Sequence, residues 1–305
     1  MSKDIRDSFF DQIYEMARKD KNIIFISADA DAFSLRQFRE NLPEQFINVG
    51  VAEQNMALVA TGLALEGKRV FIYSITSFIA MRCFEQLKVN ICSMDLPIAI
   101  VGLGSGYSFS YDGPTHHATQ DIAIMRTLPE VTILNPCDEA TAKHAATHCC
   151  LTNHPTYVRI DKGSHESLYD NADCDIGIKE LSKSSKIKII STGYMTHKMN
   201  ELVREINSDV DVIDLYKIKP LNTQLLKNIL TDSELVITVE ENTSIGGIGS
   251  IMCEILVDNE ITTKLKRVSL EDKQEFCFGS RDWLIENGGI KKENIVDIIR
   301  NFHNG

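Results

Sequence analysis

Short β-branched runs alternate with helical patterns along this chain, and that rhythm constrains its fold more than any other feature. Apolar runs fall at 23–27, 46–49, 70–74, 97–102, 131–134 and 156–160. Most are separated by stretches whose apolar residues recur three and four apart, the spacing of one helix face. Strands that read as continuous apolar runs and are joined by helices belong to parallel sheets covered on both faces. The rhythm weakens through 161–184 and restarts with runs at 187–191, 210–215, 235–240 and 265–270, with helical patterns near 195–207, 222–230, 246–257 and 292–302. The expectation is an α/β protein of two domains, each a mostly parallel sheet flanked by helices. The first domain spans 1–165, a connection runs over 166–184, and a smaller second domain covers 185–305.

Bulk properties remove several classes of function. Lys and Arg total 32 against 43 Asp and Glu, a net charge of −11. That balance disfavours nucleic acid as a partner. No apolar run reaches the length of a membrane span. The first residues read as an amphipathic helix with Ile5, Phe9, Ile13 and Ala17 on one side, not as a secretory signal. The 8 cysteines include no C-x-x-C pair. Reduced thiols in a cytoplasmic protein account for them, and zinc at Cys149-Cys150 beside His148 lacks further ligands.

Glu53 is the chemical oddity. The segment from Asn48 to Tyr73 is otherwise largely apolar, and Glu53 stands where a strand ends and a helix begins, a helix that stops at Gly67. A first-turn acid favoured by the helix dipole explains most such residues. The sharper reading is a buried acid that donates a proton. Past the strand at 97–102, the loop LGSGYSFSYDGPTHHATQD reads as a mobile, polar connection at a strand's carboxyl end, where open α/β sheets place ligands. It carries Asp112, His116 and His117, either exposed around an Asp-Gly turn or able to hold hydroxyls and exchange protons. Phe78, Met81 and Arg82 fall on one helical face, as core packing or as a wall for a flat ring. The turn Gly246-Gly247-Ile248-Gly249 reads as a close-packed strand-to-helix turn rather than a phosphate cradle, because the G-x-G-x-x-G spacing is absent.

Taken jointly, Ser27-Ala28-Asp29, Val51-Ala52-Glu53-Gln54-Asn55-Met56, Phe78, Asp112-Gly113-Pro114-Thr115-His116, Ile218-Lys219-Pro220-Leu221 and Gly246–Gly249 resemble the C-terminal half of transketolase. The resemblance covers nearly the whole chain and is nearest to the separately encoded C-terminal subunits of split transketolases. It implies a pyrimidine-binding domain followed by the transketolase C-terminal domain. It also implies transfer of a two-carbon ketol unit from a ketose to an aldose by thiamine-diphosphate carbanion chemistry. Glu53 then resembles the protonated, partly desolvated acid that hydrogen-bonds N1′ of the aminopyrimidine. Phe78 resembles the aromatic wall of that pocket, with Met81 and Phe84 as neighbours, and Asp29 approaches cofactor or substrate. Asp112 and His116 resemble sugar-facing groups, His116 also moving protons. Arg159 resembles a holder of a sugar phosphate, with a structural ion pair as its other reading.

No Gly-Asp-Gly segment followed by Asn-Asn, the pattern that holds Mg²⁺ and the diphosphate in this family, occurs in the chain. The resemblance therefore implies that Mg²⁺ sits on a partner, an N-terminal diphosphate-binding subunit, in an α₂β₂ assembly. Two departures stand out: Gly104 where full-length transketolases carry a substrate histidine, and Phe33 where they carry a phosphate-facing serine. The alternatives are the β-subunit of a 2-oxo acid dehydrogenase, a 1-deoxyxylulose-5-phosphate synthase-like enzyme and a non-catalytic assembly subunit. Asp112 and His116 favour sugar substrates over the first of these.

Overall fold

The computed structural model describes residues 3–169 and 174–303. The apolar runs become strands because both their faces are covered: β1 (Ile23–Ser27), β4 (Ile98–Leu103) and β6 (Thr156–Ile160) are buried at every position. With β2 (Phe46–Asn48), β3 (Arg69–Ile75) and β5 (Thr132–Leu134) they form parallel neighbours in the order β5-β6-β4-β3-β1-β2. On one face the helices Ile5–Ala17 and Glu139–Leu151 pack with Phe9, Phe10, Phe25, Phe71 and Tyr73. On the other, the helix Glu53–Leu65 lays Met56, Ala57 and Ala60 against Ile72 and Ile100. That helix ends as its sequence dictates: Gly67 takes φ +82°, and the Gly67 and Lys68 amides donate to Ala64 and Leu63.

The second sheet runs β12-β11-β8-β9-β7, with β7 (Ile178–Glu180), β8 (Ile187–Ser191), β9 (Asp211–Leu215), β11 (Leu235–Thr243) and β12 (Lys264–Leu270). Its pairs are parallel apart from β7, which runs antiparallel to β9. Two short strands escape the sequence reading. β7 lies inside the expected connection, and β10 (Lys217–Lys219) leaves the second half to pair antiparallel with β5 at the edge of the first sheet. Three residues are too few to display a period of two, so only tertiary pairing reveals them. Part of the expected connection, 170–173, lies outside the described residues. The halves also share a core, since Ile133 and Leu128 belong to the same buried cluster as Ile218, Leu226 and Ile248.

Two buried acids set a pH dependence. Asp214 on β9 accepts from Tyr169 Oη at 2.9 Å and from Thr196, and burial pushes its carboxyl up to about 7. Burial does the same to Glu240 on β11, also to about 7, although the Ile248 and Gly249 amides donate to it. Unfolded, both titrate near ~4. Between that value and about 7 the folded chain holds protons that the unfolded chain has lost, so stability falls as pH rises across this window. Each group contributes at most about 1.4 kcal/mol per pH unit. Thermal melts from pH 5 to 8 should show the decline, and Glu240→Gln should flatten it; a flat parent profile contradicts the assignment.

Candidate active site

The carboxyl ends of β1, β2, β3 and β4 meet at one edge of the first sheet, and the expected site residues come from the segments that leave it. Asp29 follows β1 in the left-handed region at φ +58°, which costs a non-glycine residue conformational energy. Asn48 at the end of β2 holds it there: its side chain accepts from the Asp29 amide and donates to the Asp29 carboxylate, both at 3.2 Å. The same Asn48 oxygen accepts from the Gly50 amide at 2.9 Å. This turn delivers the chain to the helix Glu53–Leu65, whose preceding residue, Ala52, supplies no side-chain cap.

Glu53 is 1 % exposed, so its carboxyl needs partners inside the protein. Ser74 on β3 donates to Oε1 at 3.0 Å, and Arg82 donates through Nη1 to Oε2 at 2.6 Å. The pairing is asymmetric, because the Arg82 side chain remains 43 % exposed. Phe78 and Arg82 belong to a segment wound in wide π turns, a form that recurs at functional sites. That winding places the Arg82 guanidinium carbon 4.2 Å from the centre of the Phe78 ring. Arg82 thus touches both the acid and the aromatic ring that sequence reasoning singled out. The expected lone acid is corrected to one held by a movable cation.

The next side chain along is His116, packed against Phe78 with ring centres 4.9 Å apart at 64°. Its Nδ1 lies 2.9 Å from Thr115 Oγ1, and Ser77 donates to the Thr115 carbonyl at 2.9 Å. The turn that carries Phe78 and the loop that carries His116 are therefore joined directly. Phe109 follows at 5.9 Å from the His116 ring, with Lys162 Nζ 4.1 Å over its face. Asp112 is exposed on the same loop. Gly104, one of the two departures from the family pattern, takes φ +84°, and a Cβ there would meet the Phe109 ring at 2.5 Å. Phe109 fills the space a side chain at 104 would need.

The structure does not bring every candidate to this column. Met81 and Phe84 line an open apolar depression with Ala123, Ile124 and Thr127, separate from Glu53 and Phe78. Arg159 is corrected from anion holder to interior ion-pair partner. It is 3 % exposed; Nε donates to Asp121 at 2.8 Å, and Nη2 donates to the Ala118 carbonyl and Asn242. The loop after β4 is corrected from mobile to anchored, as its buried residues 104–107 show. His117 is buried, its ring edge-on to Tyr107 at 4.7 Å, and burial pulls its imidazole below the usual range. The glycine-rich turn is closed on Glu240: a Cβ at Gly247 would collide with its Oε2. A carboxylate already occupies the helix end that a phosphate would need.

Sequence reasoning missed Ser74, Arg82, Tyr107, Asp161, Glu241 and Arg281. The acidic pair Glu240-Glu241 at the end of an apolar strand was the available signal, since buried acids demand partners. Among the described residues, no group of three His, Cys, Asp or Glu side chains could hold a metal ion, and no helix is long and apolar enough to cross a membrane.

The fold and this edge agree with the known proteins that the chain matches. The pyrimidine-binding domain of transketolase matches residues 1–166, and the transketolase C-terminal domain matches residues 177–295. The chain belongs to the transketolase family. One of the two subunits of an apulose-4-phosphate transketolase from Phocaeicola vulgatus is 30% identical over 95% of this chain and 94% of its own length. A 6-deoxy-6-sulfo-D-fructose transketolase subunit of a Clostridium species is also 30% identical, over 96% of this chain and 92% of its own. These relatives are named for different sugars at equal similarity. A split-gene transketolase solved as an inactive β4 tetramer superimposes with a TM-score of 0.85 at 26% identity, covering 99% of this chain and 98% of that one. The transketolase family depends on thiamine diphosphate, and this member carries the family's pyrimidine-binding and C-terminal domains.

Proposed function

We propose that this chain is the C-terminal subunit of a split transketolase-like enzyme that transfers a two-carbon ketol unit from a ketose to an aldose. In this reading residues 1–165 are the pyrimidine-binding domain and 185–305 the C-terminal domain. The observation that carries it is the enclosed Glu53 carboxyl, set at a helix start against Ser74 with Phe78 beside it through Arg82. A water-excluded acid next to an aromatic face fits an aminopyrimidine: Glu53 would hold a proton at ring N1′, and Phe78 would wall one side. Thiamine diphosphate, when bound, supplies the electron sink for cleaving a carbon–carbon bond beside a carbonyl.

The chain's own groups divide the remaining work. Arg82 covers the Glu53 oxygen and the Phe78 face, so it must swing aside for the ring to seat; its exposed end leaves room for that. Asp112 would orient donor hydroxyls. His116 would exchange a proton at the sugar hydroxyl nearest the breaking bond, a task suited to an imidazole near neutrality. Asp29 sits at the edge where cofactor and substrate would approach.

Nothing in the chain matches the family's pattern for the diphosphate and Mg²⁺. We therefore assign those to an N-terminal partner subunit in an α₂β₂ assembly of the cytoplasm. The inactive β4 tetramer of the split-gene relative supports dependence on a partner. The test is to purify the chain alone and together with a diphosphate-binding partner, then titrate thiamine diphosphate with Mg²⁺ and assay ketol transfer over a panel of ketoses and aldoses. Binding should tighten at least about a hundredfold with the partner, about 2.7 kcal/mol. Transfer should need both chains. Tight Mg²⁺-dependent binding by the isolated chain would refute the split assignment.

A further inference from the structure

The loop that bears Asp112 and His116 is held from outside its own domain. Tyr107 is 3 % exposed and buries its ring in the second domain's core with Leu270 and Leu284. Its amide donates to Glu241 Oε1 at 2.7 Å. Gly106 beside it, at φ +50°, has no room for a side chain, because a Cβ would collide with the Glu241 carboxyl carbon. On either side of Tyr107, Ser105 and Ser108 donate to the two oxygens of Asp161 at 2.5 and 2.7 Å. Arg281, the first residue of a second-domain helix, closes the arrangement. Its Nη2 lies 2.7 Å from Asp161 and 2.6 Å from Glu241, and donates to Ser105 Oγ at 2.8 Å and to the Ser105 carbonyl at 3.1 Å.

The returning arm of the loop is gripped as well. Gly106 and Ala118 exchange two backbone hydrogen bonds, and the Thr243 amide at the end of β11 donates to the Thr119 carbonyl. Burial opposes ionisation of Asp161, yet the Arg281 guanidinium and the two serine hydroxyls hold its carboxyl down at about 2. The charges of this triad are thus matched without solvent, and both ends of the loop are tied to groups on the second domain. What lies between the ties is the segment that meets Phe78 and would face substrate.

We propose that the second domain positions the substrate loop, with Arg281 and Tyr107 as positioning residues that set where Asp112 and His116 stand. The substrate-facing part of this inference rests on the functional reading above. Two variants test it. Arg281→Lys keeps the charge but loses the fork, and Ser105→Ala with Ser108→Ala removes the loop's hydroxyls while leaving the ion triad intact. In the full chain alone, amide hydrogen exchange at Gly106, Tyr107 and Ala118 should accelerate about tenfold or more in both, the loss of a hydrogen bond to a charged group. Exchange in β1 and β3 should not change. Unchanged loop exchange in either folded variant overturns the latch.

In the enzyme assembled with its partner, Arg281→Lys should raise KM for the ketose donor about tenfold. The Kd for thiamine diphosphate should stay at the parent value, because Glu53 and Phe78 lie outside the latch. Faster exchange with parental KM and kcat would make the latch structural only and overturn the positioning role. The exchange measurement needs neither cofactor nor substrate, so it judges the latch even if ketol transfer proves to be the wrong reaction.

Discussion

Glu53→Gln folds like the parent and transfers ketol units about 10³-fold more slowly, the scale of a lost proton-transfer group. The substitution keeps the shape of the side chain and an oxygen for the Ser74 hydroxyl, which donates at 3.0 Å. It removes the negative charge that faces Arg82. Because Arg82 is 43 % exposed, that pair contributes little to folding, and the melting midpoint should move by no more than about 1 kcal/mol equivalent. The measurement pairs a thermal melt of the isolated chain with steady-state ketol transfer by the assembled enzyme. Normal turnover in the variant would remove Glu53 from the chemistry and with it the proposed function.

Arg159→Met gives the opposite pattern, a loss of fold before any loss of substrate affinity. Arg159 and Asp121 are both buried, and Asp121 also accepts from Tyr157 Oη at 2.7 Å. Removing the guanidinium strands a buried carboxylate and leaves the Asn242 side-chain oxygen and the Ala118 carbonyl without their donor. Breaking a buried pair from one side costs about 3–5 kcal/mol. Urea unfolding of the isolated chain should report that cost as a lower midpoint. If the variant instead unfolds like the parent while the assembled enzyme loses affinity for anionic sugars, Arg159 is a substrate ligand after all and its interior assignment is wrong.

These two residues show how far local pattern carries. Glu53 was legible because an acid interrupting an apolar segment at a strand-to-helix junction stands out against its neighbours. Phe78, Asp112 and His116 were legible through family motifs of fixed local spacing. Arg159 was not placed correctly, because a charged residue in an apolar strand reads alike whether it points at a ligand or at an interior acid. Met81 and Phe84 failed for a related reason: helical spacing predicts a shared face, but the chain there winds in π turns. The loop after β4 looked mobile because it is rich in Gly and Ser. Those residues are there so that Glu241 and Asp161 can approach its backbone and hydroxyls closely.

By itself the sequence determined two α/β units, the positions of most strands and an acid at the carboxyl edge of the first sheet. Each of these is written in runs of neighbouring residues, through side-chain periodicity and helix-end signals. Only the tertiary structure decided that Arg82 sits on Glu53, that β10 crosses to the first sheet, and that Arg281 grips Ser105 from 176 residues away. Those pairings follow from burial. Once the halves pack, every enclosed charge must find a partner within hydrogen-bond reach, and no local spacing names a partner that distant in the chain.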